Sequence, residues 1–155
     1  MKAPSSERLK ILIAEDDPND RKLLMLGARP EGADVFVVED GHAILEYLQA
    51  EGEFGDRGKY PFPDLVILDL KMPLMDGLKV LKWIRQESAW RSLPVVLLSG
   101  SGLEKDVEEA YRLGANSYFQ KPYSVADLKA VLRAISEYWG LTERPKGTKT
   151  EQEGW

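Results

Sequence analysis

Several polar residues in this chain follow short apolar runs and together suit one kind of chemistry. "KILIAE" ends in Glu15 and is followed at once by Asp16 and Asp17. "DLVIL" runs into Asp69, "PVVLLS" closes on Ser99, and "NSYFQK" closes on Lys121 before a proline. Carboxylates brought close together raise each other's pKa and repel unless a cation joins them. A hard ion such as Mg²⁺ suits them, because it takes oxygen ligands and keeps several waters. The chain has no cysteine and a single histidine, His42, so Zn²⁺ or copper chemistry has little support. A lysine and a hydroxyl beside such an ion suit phosphoryl oxygens. A carboxylate held there, with Asp69 the candidate, is a nucleophile able to form an acyl phosphate.

Each piece has an ordinary explanation when taken alone. "EDDP" is a plausible helix start, and an aspartate after a strand is usually a turn residue. Ser99 in "LSGSG" is ordinary loop material, and Lys121-Pro122 an ordinary surface lysine before a turn. His42 opens an apolar-periodic stretch and is expected at the start of a helix, partly exposed. The functional reading rests on several strand ends each supplying what one reaction needs.

The elements that must position these residues alternate in hydrophobic period. Strands are expected at 10–15, 34–39, 64–70, 94–99 and 116–121, and helices at about 18–28, 41–50, 77–87, 103–113 and 124–139. Asp17 and Pro18 suit a helix start, with Asp20 in the first turn facing the positive end of the helix dipole. Gly114 suits a helix stop, and Ser124 with Asp127 a capped start. Alternation of this kind predicts an α/β fold: a five-stranded, parallel, doubly wound sheet with five helices. Ligands of such sheets bind outside the carboxyl ends of the strands, where these residues would gather. The stretch 50–63, rich in Gly, Pro and charge, reads as a surface loop.

Bulk properties narrow the function classes. With 155 residues, 43% apolar and 30% charged, one domain with a true core is expected. No apolar run could span a bilayer, and the first ten residues lack a secretory apolar region. Absence of cysteine fits a reducing, cytoplasmic setting. A net charge of −5 with scattered Lys and Arg argues against a nucleic-acid surface.

Four stretches, "ILIAEDDPNDRKLL", "PDLVILDLKMPLMDG", "LPVVLLSGSG" and "GANSYFQKP", stand in the order and spacing of the receiver domain of two-component response regulators. The chain resembles that family over residues 8–140, leaving 141–155 as a polar tail. The resemblance implies a flavodoxin-like sheet of strand order 2-1-3-4-5, with Asp69 as phospho-acceptor and Mg²⁺ as cofactor. It implies that Asp16 binds the metal directly, Glu15 through a metal-bound water, and Lys71 through its backbone carbonyl. Lys121 would pair with the phosphoryl group and Ser99 would swing toward it. Gly100 would leave phosphate access, Tyr118 would be the rotameric switch, and Pro122 would follow a cis peptide bond.

Lys71 departs from the neutral polar residue common there, so its ammonium is expected to pair with Glu15 or the phosphate. The implied partner is a sensor histidine kinase. The loop before "PFPDLVILDL", together with "NSYFQKP" and "EYW", resembles stand-alone regulators of bacterial phytochrome kinases. Such proteins pair through the fourth-helix, fifth-strand and fifth-helix surface, where Tyr138 and Trp139 are candidate anchors for a homodimer. The domain would be a signalling acceptor, its own chemistry limited to self-catalysed phosphoryl transfer and autodephosphorylation. An aspartate-nucleophile phosphatase is the competing class, but its D-x-D pattern meets Lys71 here. A flavin-binding module would need a phosphate-cradling loop where "EDDPND" stands. A receiver that signals without phosphate would leave the full site set unexplained.

Overall fold

Short runs dense in Val, Ile and Leu form strands buried on both faces, which is what a parallel sheet flanked by helices requires. The computed structural model describes residues 8–26, 32–72 and 74–144. Its strands are β1 (Leu9–Ala14), β2 (Ala33–Val38), β3 (Leu65–Leu68), β4 (Val95–Ser99) and β5 (Ser117–Gln120). Its helices are α1 (Pro18–Leu26), α2 (Gly41–Gln49), α3 (Gly77–Gln86), α4 (Glu104–Arg112) and α5 (Val125–Leu141). The strands form one parallel sheet of order β2-β1-β3-β4-β5. Architecture and strand order therefore match expectation. Pro73 and Trp155 lie outside the described residues, as does the tail beyond residue 144.

Alternation along the strands divides the core into two. Leu12, Val66, Leu68, Val95 and Leu97 pack under α2 and α3 with Ile44, Leu48, Leu81 and Ile84. Ile11, Ile13, Leu65, Ile67 and Val96 pack on the other face against Leu24 of α1 and Leu128, Leu132 and Ile135 of α5. Each such side chain is worth about 1.5–3 kcal/mol when fully buried. β3 and β4 are buried throughout, whereas β5, at the edge, is half-buried.

The helix starts obey the capping signals. Pro18 opens α1, and the Asp17 carboxylate accepts from the Asn19 amide at 2.8 Å. Asp40, Asp76 and Ser124 cap α2, α3 and α5 by accepting from the amides of Ala43, Lys79 and Asp127. His42 is exposed in the first turn of α2, with Nδ1 3.2 Å from Glu46.

Residues 50–63 are more than a surface loop. They contain a single-turn 3-10 helix (Gly52–Phe54), and Phe54 is buried in an aromatic cluster with Tyr47 and Tyr60. Arg57 donates to the carbonyls of Tyr47, Leu48 and Tyr60 at 2.9–3.1 Å and lies over the rings of Tyr47 and Phe62. Two of those carbonyls belong to the last turn of α2, the negative end of its dipole. Composition alone hides this, because one arginine organises a stretch whose Gly, Pro and charge mask its three aromatic residues. Burial pushes the Tyr47 phenol up, and its hydroxyl donates to the Pro61 carbonyl at 2.9 Å.

Arg57→Ala strands these acceptors and is expected to cost about 2 kcal/mol. Arg57→Lys restores only part, for want of a forked donor. Chemical denaturation of the three proteins reads the effect; equal midpoints would remove the stapling role.

A second arginine repeats the device. Arg85 of α3 donates to the carbonyls of Gly114, Arg91 and Leu93 and to Asn116 Oδ1, which also accepts from the Val95 amide. Gly114 (φ 106°) ends the α4 turn, and a Cβ there would lie 2.9 Å from the Arg85 side chain.

Candidate functional site

β1 and β3 are neighbours, so the residues just beyond their carboxyl ends meet. Glu15 leaves β1 and its amide still bonds the Val38 carbonyl at 3.0 Å. β3 stops at Leu68, earlier than the expected residue 70, so Asp69 begins a loop. That loop folds on itself: Asp69 Oδ1 accepts from the Lys71 amide at 3.2 Å, and the Gly77 amide bonds the Leu70 carbonyl at 2.9 Å. Gly77 seats α3 against the acceptor, since a Cβ on it would stand 2.1 Å from the Asp69 carbonyl oxygen. Gly41 does the same for α2, with the Met75 carbonyl oxygen 2.3 Å from such an atom.

One oxygen each from Glu15, Asp16 and Asp69 lies within 4.8 Å of the others. Glu15 is buried, Asp69 half-buried and Asp16 exposed, so the group opens outward through Asp16. The donors are all oxygen, which fits a hard divalent cation rather than a soft one. An open groove of about 640 Å³ adjoins them, lined in part by Asp16, Lys71, Asp76 and Asp106.

Lys121 supplies the opposite charge. Its ammonium is hydrogen-bonded to Glu15, lies 3.2 Å from Asp20 Oδ2, and sits 3.8 Å from Asp69 Oδ2. Burial alone would lower this lysine, but its bonds to Glu15 and Asp20 outweigh that and hold it above the ordinary lysine value. Burial pushes Glu15 up, with the Lys121 hydrogen bond pulling the other way. Lys71 makes no ion pair among the described residues, so the expected pairing with Glu15 is made by Lys121 instead.

Ser99, 1% exposed, ends β4, and its carbonyl accepts from the Lys121 amide at 2.6 Å. Ser101 links the two expected switch residues. Its amide donates to Ser99 Oγ at 3.3 Å, and its carbonyl accepts from the Tyr118 hydroxyl at 2.7 Å. Its own hydroxyl donates to Asp106 in the first turn of α4 at 2.5 Å. Beside Gly100 a Cβ would meet nothing within 4 Å, so the approach there is open. The Lys121–Pro122 bond is trans, against the expected cis form; no cis peptide occurs among the described residues. Trans is the intrinsically favoured isomer of such a bond by about 0.5–1 kcal/mol.

Sequence reasoning missed Asp20, Arg21 and Ser101 as parts of the site. Arg21 donates to the carbonyls of both Glu15 and Asp16 at 2.9 Å, fixing the backbone that carries two carboxylates. Nothing in a lone arginine or a loop serine signals such bonds. Asp20 had a signal, since it shares the first turn of a helix that starts directly behind Glu15 and Asp16.

The family model of the response regulator receiver domain matches residues 11–133. The chain belongs to the response regulator receiver family. This receiver is 34% identical over 131 residues to the response regulator Rcp1 of Synechocystis, covering 83% of this chain and 87% of that protein. The Mn²⁺-bound form of Rcp1 superposes with a TM-score of 0.74 at 31% identity, covering 88% of this chain and 99% of that one. The phosphorylated cyanobacterial phytochrome response regulator RcpA superposes at 0.81 and 31% identity, covering 90% and 100%. RPA3017, a response regulator in red light signalling of R. palustris, gives 0.81 at 38% identity, covering 89% and 99%. The receiver thus resembles regulators of the phytochrome group in sequence and fold.

Proposed function

We propose that this receiver accepts a phosphoryl group on Asp69 from the phosphohistidine of a partner sensor histidine kinase. The observation that carries this is the meeting of Glu15, Asp16 and Asp69 within 4.8 Å beside the Lys121 ammonium. Glu15, Asp16, Asp69 and the Lys71 backbone carbonyl would hold Mg²⁺, and the Mn²⁺-bound form of Rcp1 supports a divalent ion here. When bound, that ion neutralises charge on the phosphoryl oxygens.

An Asp69 oxygen attacks phosphorus in line as the P–N bond breaks, and the electron pair leaves on the imidazole nitrogen. Asp69 is held for this by its bond to the Lys71 amide and by Gly77 behind it. Lys121 then donates to one phosphoryl oxygen and the Ser99 hydroxyl to another. Drawing Ser99 Oγ away takes an acceptor from the Ser101 amide, and Ser101 also holds the Tyr118 hydroxyl. Tyr118 therefore senses the change, and the α4–β5–α5 surface shifts population between two packings.

The functional unit we assign spans residues 8–140, followed by a polar tail. The match to residues 11–133 supports this, as does α5 ending at Leu141. A cytoplasmic setting suits a histidine-kinase partner, and no described helix is long and apolar enough to cross a membrane. The likeness to RcpA and RPA3017 supports a phytochrome-type kinase as donor. A homodimer through α4, β5 and α5 is in keeping with Tyr138, which is 62% exposed and stacked edge-on with Trp139; Trp139 itself packs on the core.

Incubation with Mg²⁺ and a small phosphodonor is expected to add one phosphoryl mass to wild type and none to Asp69→Asn. Equal gain in both proteins, or none in wild type, would sink the assignment. Light scattering on the same samples tests the dimer, which a monomer in both states would exclude.

A further inference from the structure

The Lys121 ammonium has three protons to give and three carboxylates around it. Glu15 takes one and Asp20, at 3.2 Å, takes another, whereas Asp69 Oδ2 at 3.8 Å is beyond hydrogen-bond reach. Behind the ammonium only about 10 Å³ is open, between Glu15, Asp20 and the apolar walls of Ile13, Leu24, Leu98 and Leu128. That is at the lower limit for a single water, so the charge has nowhere to withdraw. Its position is decided among the three carboxylates.

We propose that Asp20 is a positioning residue for the acceptor site, sharing Lys121 with Glu15 so that the ammonium does not settle on Asp69. The geometry gives it two effects. Asp69 stays available to a divalent cation, and the third ammonium proton stays free for an incoming phosphoryl oxygen. Without Asp20, Lys121 turns its freed proton to Asp69 and competes with the metal for the carboxylates. This deepens the phospho-acceptor function proposed above and rests on the metal site it includes.

The competing role for Asp20 is purely structural, since an acid in the first turn of α1 favours the helix dipole. Mg²⁺ affinity measured by calorimetry separates the two through a double-mutant cycle with Lys121→Met. Asp20→Asn is expected to weaken Mg²⁺ binding about three- to fivefold, the scale of an ion pair to a partly exposed carboxylate. Asp20→Glu, which keeps the anion, is expected to retain most of the affinity. In the Lys121→Met background, Asp20→Asn is expected to change affinity far less.

Unchanged affinity in Asp20→Asn, or the same loss with and without Lys121, would overturn the proposal. A fall in unfolding midpoint with no change in Mg²⁺ affinity would return Asp20 to a helix-start residue. Wild type with no measurable Mg²⁺ affinity would instead remove the metal site on which the proposal stands.

Discussion

Lys121→Met is expected to slow phosphoryl acceptance by about 10²–10³-fold while making Mg²⁺ bind more tightly. The opposite signs follow from where the ammonium sits. It is hydrogen-bonded to Glu15 and lies 3.8 Å from Asp69, so it is both a stabiliser of a phosphoryl group and a rival to a metal for the same oxygens. Loss of one preorganised charged donor typically costs that much in rate. Loss of the rival leaves Glu15, Asp16 and Asp69 undischarged, which raises their demand for a divalent ion.

Stability moves with it. Glu15 is only 4% exposed, and a buried carboxylate deprived of its partner costs about 3 kcal/mol. Metal-free protein is therefore expected to lose roughly 6–12 °C in Tm, on the scaling for domains of this size. Much of this returns when Mg²⁺ is added. Stopped-flow phosphorylation with calorimetry and melting curves reads all three quantities. A variant in which rate and Mg²⁺ affinity fell together would mean that Lys121 helps to build the metal site.

Gly77→Ala tests the scaffold instead of the charges. The added methyl carbon would stand 2.1 Å from the Asp69 carbonyl oxygen and 3.1 Å from Leu70 Cα, and neither backbone atom can swing aside like a side chain. Either α3 backs off its seat or the acceptor loop is pushed outward. Overpacking of this kind costs about 1–3 kcal/mol, and the rigid contact places this case at the upper end. Displacing a nucleophile by about 1 Å can cost 10²-fold in rate, so acceptance is expected to fall by more than the loss of folded protein explains. Gly140→Ala in α5 is the control, because its methyl would meet nothing within 4 Å and it lies outside the site. Phosphorylation rates per folded molecule decide it; a Gly77→Ala protein as fast as wild type would show that the loop absorbs the strain.

What was legible in the sequence follows from what carries the signal. Apolar runs, helix caps and the spacing of Glu15, Asp16, Asp69, Ser99 and Lys121 are properties of side chains along one dimension. They gave the sheet, its helices and the carboxyl-edge cluster. Contacts made to backbone carbonyls leave no such trace. Arg57 turned a loop that looked merely polar into a packed turn over Phe54, and Arg21 braced the very backbone that bears two of the carboxylates. Ser101 looked like part of a flexible "SGSG" run, yet three hydrogen bonds tie its amide, carbonyl and hydroxyl to separate elements. Which lysine pairs with Glu15 was likewise invisible, because both lie within the expected site and only geometry assigns Lys121 as the partner.

Arg21, Arg57 and Arg85 grip main-chain oxygens, and a main-chain oxygen is the same whatever residue bears it. Exposed Arg91 can therefore change identity without loosening its clamp, whereas Leu48, Tyr60 and Leu93 are held by their own packing as well. Constraint in this domain is thus of two kinds: each gripping arginine is fixed by its own fork, while a gripped residue is fixed only by what its own side chain does elsewhere.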